Sequence, residues 1–430
     1  MKKSRIFVVL LVALLAVSSL FANGAKEASV TVKPSNELTV WAWDPNFNIA
    51  ALKKAEALYQ ETHPDFKLNI VENVYTDIQT KLITAAEAGD LSTLPDIFLM
   101  QNYAFQNFGK NYPQVFADLT NSGINFKDFT ASTVADSTVG GKNYGIPFDN
   151  SASIFAIRRD FVEAAGLKVE DFNDITWSKF IELGKIVKAK TGLPMITVSG
   201  GSEILIEMLQ TAGASPYVDG KVNVANNEVL FKALTIYKQL IDEGIMIDYT
   251  DWNEYIASFN TGKAAGLIQG NWILSSIQAA ADQSGKWAIV NLPSIDGVAG
   301  ATHYAACGGS SWAVSSQANK ELALDFLKST FGSSTALYDQ LLTEVSAIGS
   351  YLPASTSSLF SEKVAFYGGQ EVYADIVEFS GKIPAFSYGT YYSEIRSALT
   401  DALTNVIQNK ADIRTEMKAA EDAINFAIDV

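Results

Sequence analysis

The first hundred residues alternate between short apolar runs and longer stretches with helical spacing. Residues 38–43 form an apolar run that ends at an Asp-Pro pair. Apolar residues then recur every three to four positions over 48–61 and about 75–88. Residues 66–71 alternate between apolar and polar, and a mainly apolar run occupies 95–100. This order predicts strand, helix, strand, helix and strand. Such an order is typical of a parallel sheet with right-handed crossovers.

A similar pattern restarts in the second third of the chain. Residues 153–157 predict a strand and 160–165 a helix. Thr176 is a suitable cap for a helix whose apolar face extends to Val187, and residues 226–243 predict another amphipathic helix. We find no repeat of 20–50 residues, which argues against a solenoid or propeller. The chain is therefore predicted to contain two α/β units joined by a strand.

The segment from Gly140 to Asp149 lies between the two predicted units. Its Gly-Gly pair predicts a hairpin turn, and the short apolar residues after it predict a strand that stops beyond Pro147. The run Gly-Lys-x-Tyr-Gly-Ile-Pro resembles the first interdomain crossing of bacterial extracytoplasmic solute-binding proteins. Those proteins capture small molecules between two lobes and deliver them to an ABC importer.

Further segments resemble the carbohydrate-binding branch of this family, extracellular solute-binding protein family 1, which includes maltose-binding protein. These segments are Thr176–Phe180, Phe259–Trp272, Gly308–Val314 followed by Asn319–Ala323, and Ile383-Pro384 with the Tyr391-Tyr392 region and Arg396. They occur in the family's order along the chain. The resemblance implies a two-lobe α/β fold of the periplasmic-binding-protein type II class. Each lobe would be a mainly parallel sheet flanked by helices, with a ligand cleft between the lobes.

The resemblance also implies domain limits and a mechanism. We expect lobe 1 to comprise residues 36–147 and 301–350, and lobe 2 to comprise residues 148–300 and 351–430, with chain crossings near these limits. A bound ligand would stabilise the closed state through its differential affinity. The membrane permease subunits of an ABC importer would then recognise that state.

The N-terminus has the pattern of a secretory signal. Three cations within the first five residues precede an apolar run over 6–20, and small residues follow at Ala22 and Ala25. The alternative is a membrane anchor, but the run is shorter than the roughly 20 residues that span a bilayer. We expect residues 1–22 to be a signal peptide and the mature protein to be soluble and periplasmic, or otherwise extracytoplasmic. The single cysteine, Cys307, lies far from this region, so it forms no lipobox.

Composition excludes several classes of function. The net charge is −15, and loss of the three N-terminal cations would take it to −18. An acidic chain without basic runs lacks the electrostatic footprint of a nucleic-acid-binding protein. One cysteine cannot form an intramolecular disulfide, so a hydrophobic core must stabilise the fold. The chain is long enough to bury one in two or three domains.

Aromatic and polar residues occur at predicted strand exits or loops, and ligands of open α/β sheets bind beyond the carboxyl ends of strands. Sugars stack apolar C–H faces on aromatic rings and bond their hydroxyls to polar side chains. The aromatic candidates are Trp43, Tyr103, Trp272, Trp312 and Tyr388. The polar candidates are Asp44, Asn46, Gln101, Asn102, Asp149, Asn150, Glu203 and Asn271. Gly308 and Gly309 would either contact a ligand or allow tight packing. Core packing is the alternative role for each ring, and a solvated loop is the alternative for Glu203.

A secreted hydrolase is the alternative class of function. His63 and His303 lack the spacing of a metal site, and motifs of serine hydrolases, zinc proteases and P-loop enzymes are absent from the sequence. Asp149 with Glu203 is the carboxylate pair to test for glycosidase activity. A further acidic group comprises Asp248, Asp251 and Glu254. Its spacing predicts a solvated turn rather than a calcium loop. We expect no cofactor, no metal site and no enzymatic activity.

The predicted ligand is a small neutral solute. The family implies a mono-, di- or oligosaccharide, and a polyol or other non-sugar solute is the alternative. An anionic ligand requires a positive cleft, and we expect Arg158-Arg159 to serve the surface or a helix cap instead. A neutral sugar therefore leads. An adhesion protein, the third class, would show no ligand-dependent change. We expect a monomer.

Overall fold

The computed structural model describes residues 36–149, 151–218, 221–384, 386 and 388–428. The predicted signal peptide (residues 1–22) and the candidate Asn150 lie outside the described residues. The chain divides into a short unit, Met1–Glu37, and a large unit, Leu38–Val430. The fold and the candidate site belong to the large unit.

The N-terminal elements follow the predicted order. They are β1 (Glu37–Ala42), α1 (Asn48–Gln60), β2 (Lys67–Glu72), α2 (Tyr75–Ala88), β3 (Ile97–Gln101), α3 (Phe105–Asn111), α4 (Ala131–Asp136), β4 (Thr138–Val139), β5 (Lys142–Asn143) and β6 (Ile146–Pro147). Gly140 and Gly141 have φ of 57° and 77° and close the β4–β5 hairpin, as their pairing predicts. The predicted strands and helices of this segment are confirmed to within one or two residues.

The predicted strand over 153–157 and the predicted helices over 160–165, after Thr176 and over 226–243 are confirmed within a longer series of elements in the middle of the chain. The elements of this series are β7 (Ser153–Arg158), α5 (Arg159–Ala164), α6 (Trp177–Thr191), β8 (Ile196–Ser199), α7 (Ser202–Thr211), β9 (Tyr217–Val218), β10 (Lys221–Val222), α8 (Glu228–Asp242), β11 (Met246–Tyr249), α9 (Trp252–Asn260), β12 (Gly266–Gly270), α10 (Leu274–Gln278) and β13 (Trp287–Val290). Thr176 caps α6, because its hydroxyl accepts a hydrogen bond from the Lys179 backbone N–H at 3.4 Å. Helix α6 ends at Gly192, where φ is 75°.

The C-terminal part begins with one strand and continues with helices. Its elements are β14 (Ser310–Val314), α11 (Lys320–Ser329), α12 (Thr335–Gln340), α13 (Val372–Gly381), α14 (Tyr392–Gln408) and α15 (Ile413–Ile428). Helices α14 and α15 pack against each other. Within the described residues, none of the helices combines the length and apolarity that a bilayer span requires.

Two five-stranded sheets organise these elements. The first has the order β2-β1-β3-β14-β6, and the second has the order β11-β8-β12-β7-β13. Strand β1 is parallel to β3, and β8 is parallel to both β11 and β12. Strand β14 is antiparallel to β3 and β6, and β7 is antiparallel to β12 and β13. The predicted α/β class is confirmed, but the sheets are mixed rather than mainly parallel. A parallel pair of strands needs a long crossover connection between them. Strands β7 and β14 instead enter their sheets directly after a chain crossing, and both pair antiparallel with their neighbours.

Each sheet has its own apolar core. Leu38, Val40 and Ile97 of the first sheet pack with Phe326 and Leu337 from the helices after β14. The second sheet packs mainly against α6, α8, α14 and α15, and its core residues include Phe155, Phe180, Leu234, Leu399 and Ile424. The C-terminal helices therefore belong to the second core, while α11 and α12 belong to the first.

Arg158 is not a surface residue, so the surface role expected for it is wrong. Its side chain is almost fully buried and forms an ion pair with Asp160 at 2.7 Å. Its guanidinium also lies 4.2 Å from the centre of the Phe161 ring. Both partners belong to α5, so this cation serves the start of that helix and the packing around it.

Asp149 connects the segments that run between the two sheets. One carboxylate oxygen accepts hydrogen bonds from the backbone N–H and the hydroxyl of Ser310, at 2.8 and 2.5 Å. Its carbonyl accepts a bond from the Ser350 hydroxyl at 2.8 Å. Nearby, the Cys307 N–H donates to the Ser151 carbonyl at 2.7 Å. Three chain segments are thus tied together at one buried residue.

The outer edge of β13 is covered by a side chain. Gln370 accepts a hydrogen bond from the Ile289 N–H at 2.9 Å and donates one to the Ile289 carbonyl at 2.7 Å. Its amide group therefore satisfies both backbone groups that an adjacent strand would otherwise pair. Gln370 is held in place by a further bond to Asp375 at 2.9 Å.

Candidate functional site

A narrow cavity lies where loops that follow strands of both sheets meet. Its volume is about 10 Å³, which is room for about one water molecule. The lining residues are Tyr103, Glu203, Ile206, Glu207, Ala306, Cys307, Gly308, Tyr388, Tyr392 and Arg396. Tyr103 follows β3 of the first sheet, and Glu203 follows β8 of the second. The structure therefore brings together four predicted site residues: Tyr103, Glu203, Gly308 and Tyr388.

An ion pair forms the charged part of the cavity wall. The Arg396 Nη2 lies 2.8 Å from the Glu203 Oε1, and the two side chains are 22% and 26% exposed. The Arg396 guanidinium also lies 5.6 Å from the ring centre of Tyr103 and 5.9 Å from that of Tyr392. Burial opposes the charge on Arg396, but Glu203 and the two phenols outweigh it and raise the pKa of this guanidinium. The pair is held in place but remains reachable from solvent.

Aromatic rings form a continuous row beside the ion pair. Trp43 lies 4.8 Å from Tyr75, and Tyr75 lies 6.4 Å from Tyr103. Tyr103 continues to Tyr392 at 4.9 Å, and Tyr392 packs edge-on against Tyr388 at 4.7 Å. All of these distances join ring centres. The row joins residues that follow β1 and β3 with residues near the start of α14, so it bridges elements of the two sheets.

A second acid lies beneath Glu203. Glu207 is one helical turn further along α7, is 4% exposed, and accepts a hydrogen bond from the Ser153 hydroxyl at 3.0 Å. Burial raises the pKa of Glu207 to about 8, and the charge of Glu203 acts in the same direction. Burial likewise raises the pKa of the Cys307 thiol, which donates to the Gln269 side chain at 2.8 Å. At neutral pH both groups are therefore mainly uncharged.

Trp272 lies two residues after the end of β12, on a short 3₁₀ turn (Asn271–Ile273), and contacts two residues that line the cavity, Cys307 and Gly308. Its indole N–H donates to the Cys307 carbonyl at 3.0 Å, and its ring lies 5.7 Å from that of Trp252. The preceding Asn271 is fully buried. Among the described residues, neither its side-chain oxygen nor its nitrogen has a hydrogen-bond partner. This is unusual, because buried side-chain amides normally have hydrogen-bond partners.

Gly308 and Gly309, which directly precede β14, have different roles: one contacts the cavity and the other allows tight packing. Gly308 lines the cavity, has φ of 82°, and a Cβ there would lie 3.2 Å from the Trp272 Nε1. Gly309 has φ of 84°, and a Cβ there would meet the Asn102 amide at 3.0 Å and Ser151 at 3.1 Å. Gly308 therefore faces the cavity, whereas Gly309 allows tight packing.

The other predicted residues lie outside the cavity lining. Trp43 belongs to the aromatic row. Asp44 accepts bonds from the Asn46 and Phe47 N–H groups at 2.8 and 3.1 Å and so closes the turn before α1, while Asn46 is exposed. Gln101 is half-buried at the end of β3. Asn102 is buried and accepts a bond from the Ser311 hydroxyl at 2.8 Å.

The expected position of Trp312 at a strand exit is wrong. Trp312 lies in the middle of β14 and is completely buried. Its ring packs 5.3 Å from that of Phe148 and 5.2 Å from that of Phe331. Pairing of β14 with both β3 and β6 places the indole in the first core. Asp149 is likewise buried at the crossing rather than at the cavity.

Sequence reasoning did not assign Glu207, Cys307, Tyr392 or Arg396 to the site. Helical spacing could have found one of them, because Glu207 is four residues after the predicted Glu203 and shares its helix face. Arg396 and Tyr392 share a face of α14 in the same way, but neither was a candidate from which to find the other. The contact between Glu203 and Arg396 joins positions 193 residues apart and has no local signal.

The groups considered for an enzyme or a metal have structural partners. Burial raises the pKa of Asp149 to about 7, and the Ser310 hydrogen bonds oppose that rise. Asp251 caps α9 by accepting a bond from the Glu254 N–H at 2.9 Å. His63 stacks on Tyr59 with ring centres 4.1 Å apart, and His303 contacts the Leu292 carbonyl at 2.9 Å. Within the described ranges, we find no group of three or more His, Cys, Asp or Glu residues that could hold a metal ion.

Comparison with known proteins identifies the family. Residues 54–368 match the model of the bacterial extracellular solute-binding protein family. The chain is 35% identical over 391 residues to a lactose-binding protein of Rhizobium radiobacter. The matched region covers 90% of this chain and 92% of that protein.

Solved structures share the fold. The GacH receptor of Streptomyces glaucescens, solved unliganded and with acarbose, has 16% identity and a TM-score of 0.77, covering 90% of this chain and 97% of that one. The ABC transporter associated binding protein of B. animalis subsp. lactis, in complex with β-1,6-galactobiose, has 21% identity and a TM-score of 0.77, covering 90% and 96%. The two-lobe, type II fold class is confirmed. This chain belongs to the bacterial extracellular solute-binding proteins.

Proposed function

We propose that this protein captures a neutral carbohydrate between its two lobes and presents it to an ABC importer. The observation that carries the proposal is the cavity in which tyrosine rings surround the Glu203–Arg396 ion pair. Rings can stack on the apolar faces of a sugar, while the carboxylate accepts from its hydroxyls and the guanidinium donates to them.

The charge balance of the cavity favours a neutral ligand. Arg396 compensates Glu203, and Glu207 is mainly protonated at neutral pH because burial raises its pKa to about 8. An anionic solute would find no uncompensated cation among the lining residues of this cavity. The names of the relatives support the same ligand class, since one is a lactose-binding protein and another is an arabinooligosaccharide-binding protein.

Ligand entry requires the lobes to separate. Small-molecule pockets enclose roughly 300–1,000 Å³, whereas this cavity is far smaller. Lobe 1 would comprise residues 36–147 and the segment from the second chain crossing to residue 350. Lobe 2 would comprise the remainder of the large unit. We place the second crossing at Gly308–Gly309 rather than near 300, because Thr302 and Ala306 hydrogen-bond to α7 of lobe 2. Ligand would then stabilise the closed arrangement.

Several parts of the proposal rest on the family. They are export by a signal peptide over residues 1–22, an extracytoplasmic location, a monomeric state, recognition by permease subunits and absence of turnover. The alternative ligand is a polyol or another non-sugar solute that uses the same hydroxyl-bonding pair. A secreted glycosidase has less support, because Asp149 is buried and already bonded to Ser310.

A thermal-shift screen of the mature protein tests the function. Lactose, maltose, β-1,6-galactobiose, galactose, glucose and glycerol would each be titrated, and product formation would be followed by chromatography. A concentration-dependent rise in melting temperature without products supports a carbohydrate-binding protein. A rise with glycerol alone favours a polyol. Product formation that disappears in Glu203→Gln would instead identify a hydrolase.

A further inference from the structure

We infer that a clasp between the two lobes, separate from the sugar-binding cavity, sets how far the protein closes before a ligand arrives. The clasp comprises Asn107 and Lys110 of α3 together with Thr390 and Tyr391, which directly precede α14. None of these four residues lines the cavity. The inference rests on the proposed function, because it concerns the lobe closure by which the ligand would be captured.

The apolar face of α3 anchors this helix to the first sheet. Phe105 and Phe108 are buried in a cluster that also contains Phe98 of β3. Asn107 and Lys110 are three residues apart, so they share the opposite, polar face of the helix. Asn107 is half-buried and Lys110 is exposed. The polar face is therefore available for contacts outside the first sheet.

The segment before α14 is anchored to the core of the second sheet. Tyr388 and Tyr217 both pack against that core, and the Tyr391 ring centre lies 6.3 Å from that of Tyr217. Gly389 has φ of 69°, and a Cβ there would lie 2.4 Å from the Tyr217 Cδ1. Glycine at this position therefore lets the backbone run close against Tyr217.

Two contacts join α3 to this segment. The Asn107 side-chain amide donates a hydrogen bond to the Thr390 carbonyl at 3.1 Å. The Lys110 Nζ lies 5.6 Å from the centre of the Tyr391 ring, which is a cation–π contact. One partner of each contact is anchored to the first sheet and the other to the second. Separation of the lobes at this point would break both contacts.

The clasp acts on closure and not on ligand recognition. Both contacts join protein groups directly, so they stabilise the closed arrangement with or without a ligand. The apparent dissociation constant of a ligand that requires the closed arrangement is its intrinsic constant divided by the closed fraction. Loss of the clasp should therefore weaken every ligand by the same factor, whereas loss of a residue that contacts the ligand would affect different sugars unequally.

Paired alanine variants of the mature protein test the clasp. Asn107→Ala/Lys110→Ala would be compared with wild type and with the control Asn409→Ala/Lys418→Ala, which replaces the same residue types. Asn409 and Lys418 are exposed, and their side chains bond to residues of α14 and α15. Isothermal titration with lactose, maltose and β-1,6-galactobiose would give the affinities. Small-angle X-ray scattering would give the radius of gyration with and without ligand.

We expect the clasp variant to bind each sugar that wild type binds about three- to tenfold more weakly, by one common factor. Its radius of gyration without ligand should exceed that of wild type, because its lobes separate more often. Saturating ligand should remove this difference. The control should match wild type in both measurements.

Two results would overturn the clasp while leaving carbohydrate binding intact. One is an unchanged radius of gyration or unchanged affinities in the clasp variant. The other is a loss of affinity that differs between sugars, because it would identify direct contacts with the ligand. If wild type binds none of the sugars, the proposed function fails, and the scattering comparison alone then decides whether the clasp holds the lobes together. Circular dichroism would confirm that each variant is folded.

Discussion

Two regions of this protein are built from the same residue types but differ in what those residues are free to do. At the cavity, the carboxylate of Glu203 lies among tyrosines and is paired with Arg396. At the crossing, the carboxylate of Asp149 accepts hydrogen bonds from Ser310. Phe148, which directly precedes Asp149, packs against Trp312 in the first core. Both regions follow strands and both combine an acid with aromatic rings.

The difference lies in burial and in the chemical nature of the partners. The Glu203 side chain is 26% exposed and its ion-pair partner is another partly exposed side chain, which can rearrange around a ligand. Asp149 is 2% exposed and accepts from a backbone N–H as well as a hydroxyl. A backbone partner cannot turn away without moving a strand. The first acid is therefore available for binding, while the second holds chain segments together.

The sharpest test of this comparison replaces one tryptophan in each region with alanine. Trp312→Ala should lower the free energy of unfolding by about 3–5 kcal/mol, because it leaves a cavity in a closely packed core. Trp272→Ala should cost less stability but weaken ligand binding, since Trp272 is half-buried beside the cavity. Chemical denaturation and calorimetric titration measure the two effects. A stable Trp312→Ala variant that no longer binds ligand would contradict the division.

Removal of the cavity cation tests the other side of the comparison. Arg396→Ala should weaken sugar binding about 10- to 100-fold, the equivalent of roughly 1.5–3 kcal/mol for hydrogen bonds to a charged group. Arg414→Ala is the matched control, because Arg414 forms a bidentate ion pair with Glu228 at 2.8 and 2.6 Å on an exposed surface. The control should bind normally. Equal affinities in both variants would remove Arg396 from the site.

The crossing acid should behave in the opposite way. Asp149→Ala should lower the free energy of unfolding by about 1–3 kcal/mol, because it leaves buried Ser310 donors without their acceptor. Asp149→Asn keeps an acceptor oxygen and should cost less. Both variants would be compared by denaturant titration and by ligand titration. Full stability with abolished binding in Asp149→Ala would instead place this residue in the ligand site.

The smallest expected effect is a dependence of stability on pH. Folding raises the pKa of Glu207 from 4.5 to about 8, so the folded protein binds this proton more tightly than the unfolded chain does. The associated stability is complete below about pH 4.5 and is lost as pH rises through about 8. Asp149 contributes in the same direction, but only up to about pH 7. The melting temperature should therefore still fall between pH 7 and 9.

Glu207→Gln isolates the contribution of this acid. The variant should flatten the decline in melting temperature between pH 7 and 9, because its amide cannot ionise. Glu203, Arg396 and Cys307 face the same region and are unchanged in the variant. A decline as steep as that of wild type would show that another group is responsible.

Local sequence patterns predicted most of the fold and part of the site. Alternating apolar residues around Val40 and a helical face through Phe180 are short-range signals, and the structure confirms both elements. Tyr103 was found because strand exits mark the ligand edge of a sheet, whereas Glu203 was chosen as a polar residue after a glycine-containing loop. The burial of Trp312 and the pairing of Glu203 with Arg396 depend on segments that are distant in sequence. No local pattern encodes such contacts.

The amide of Gln370 also limits where a second copy of the chain could pair with the second sheet. An uncovered edge strand offers N–H and C=O groups to a second copy, and such edges promote aggregation. Gln370 occupies both groups of Ile289 on the outer strand β13 with a single side chain. This side chain therefore limits edge-to-edge polymerisation through β13 without an additional strand.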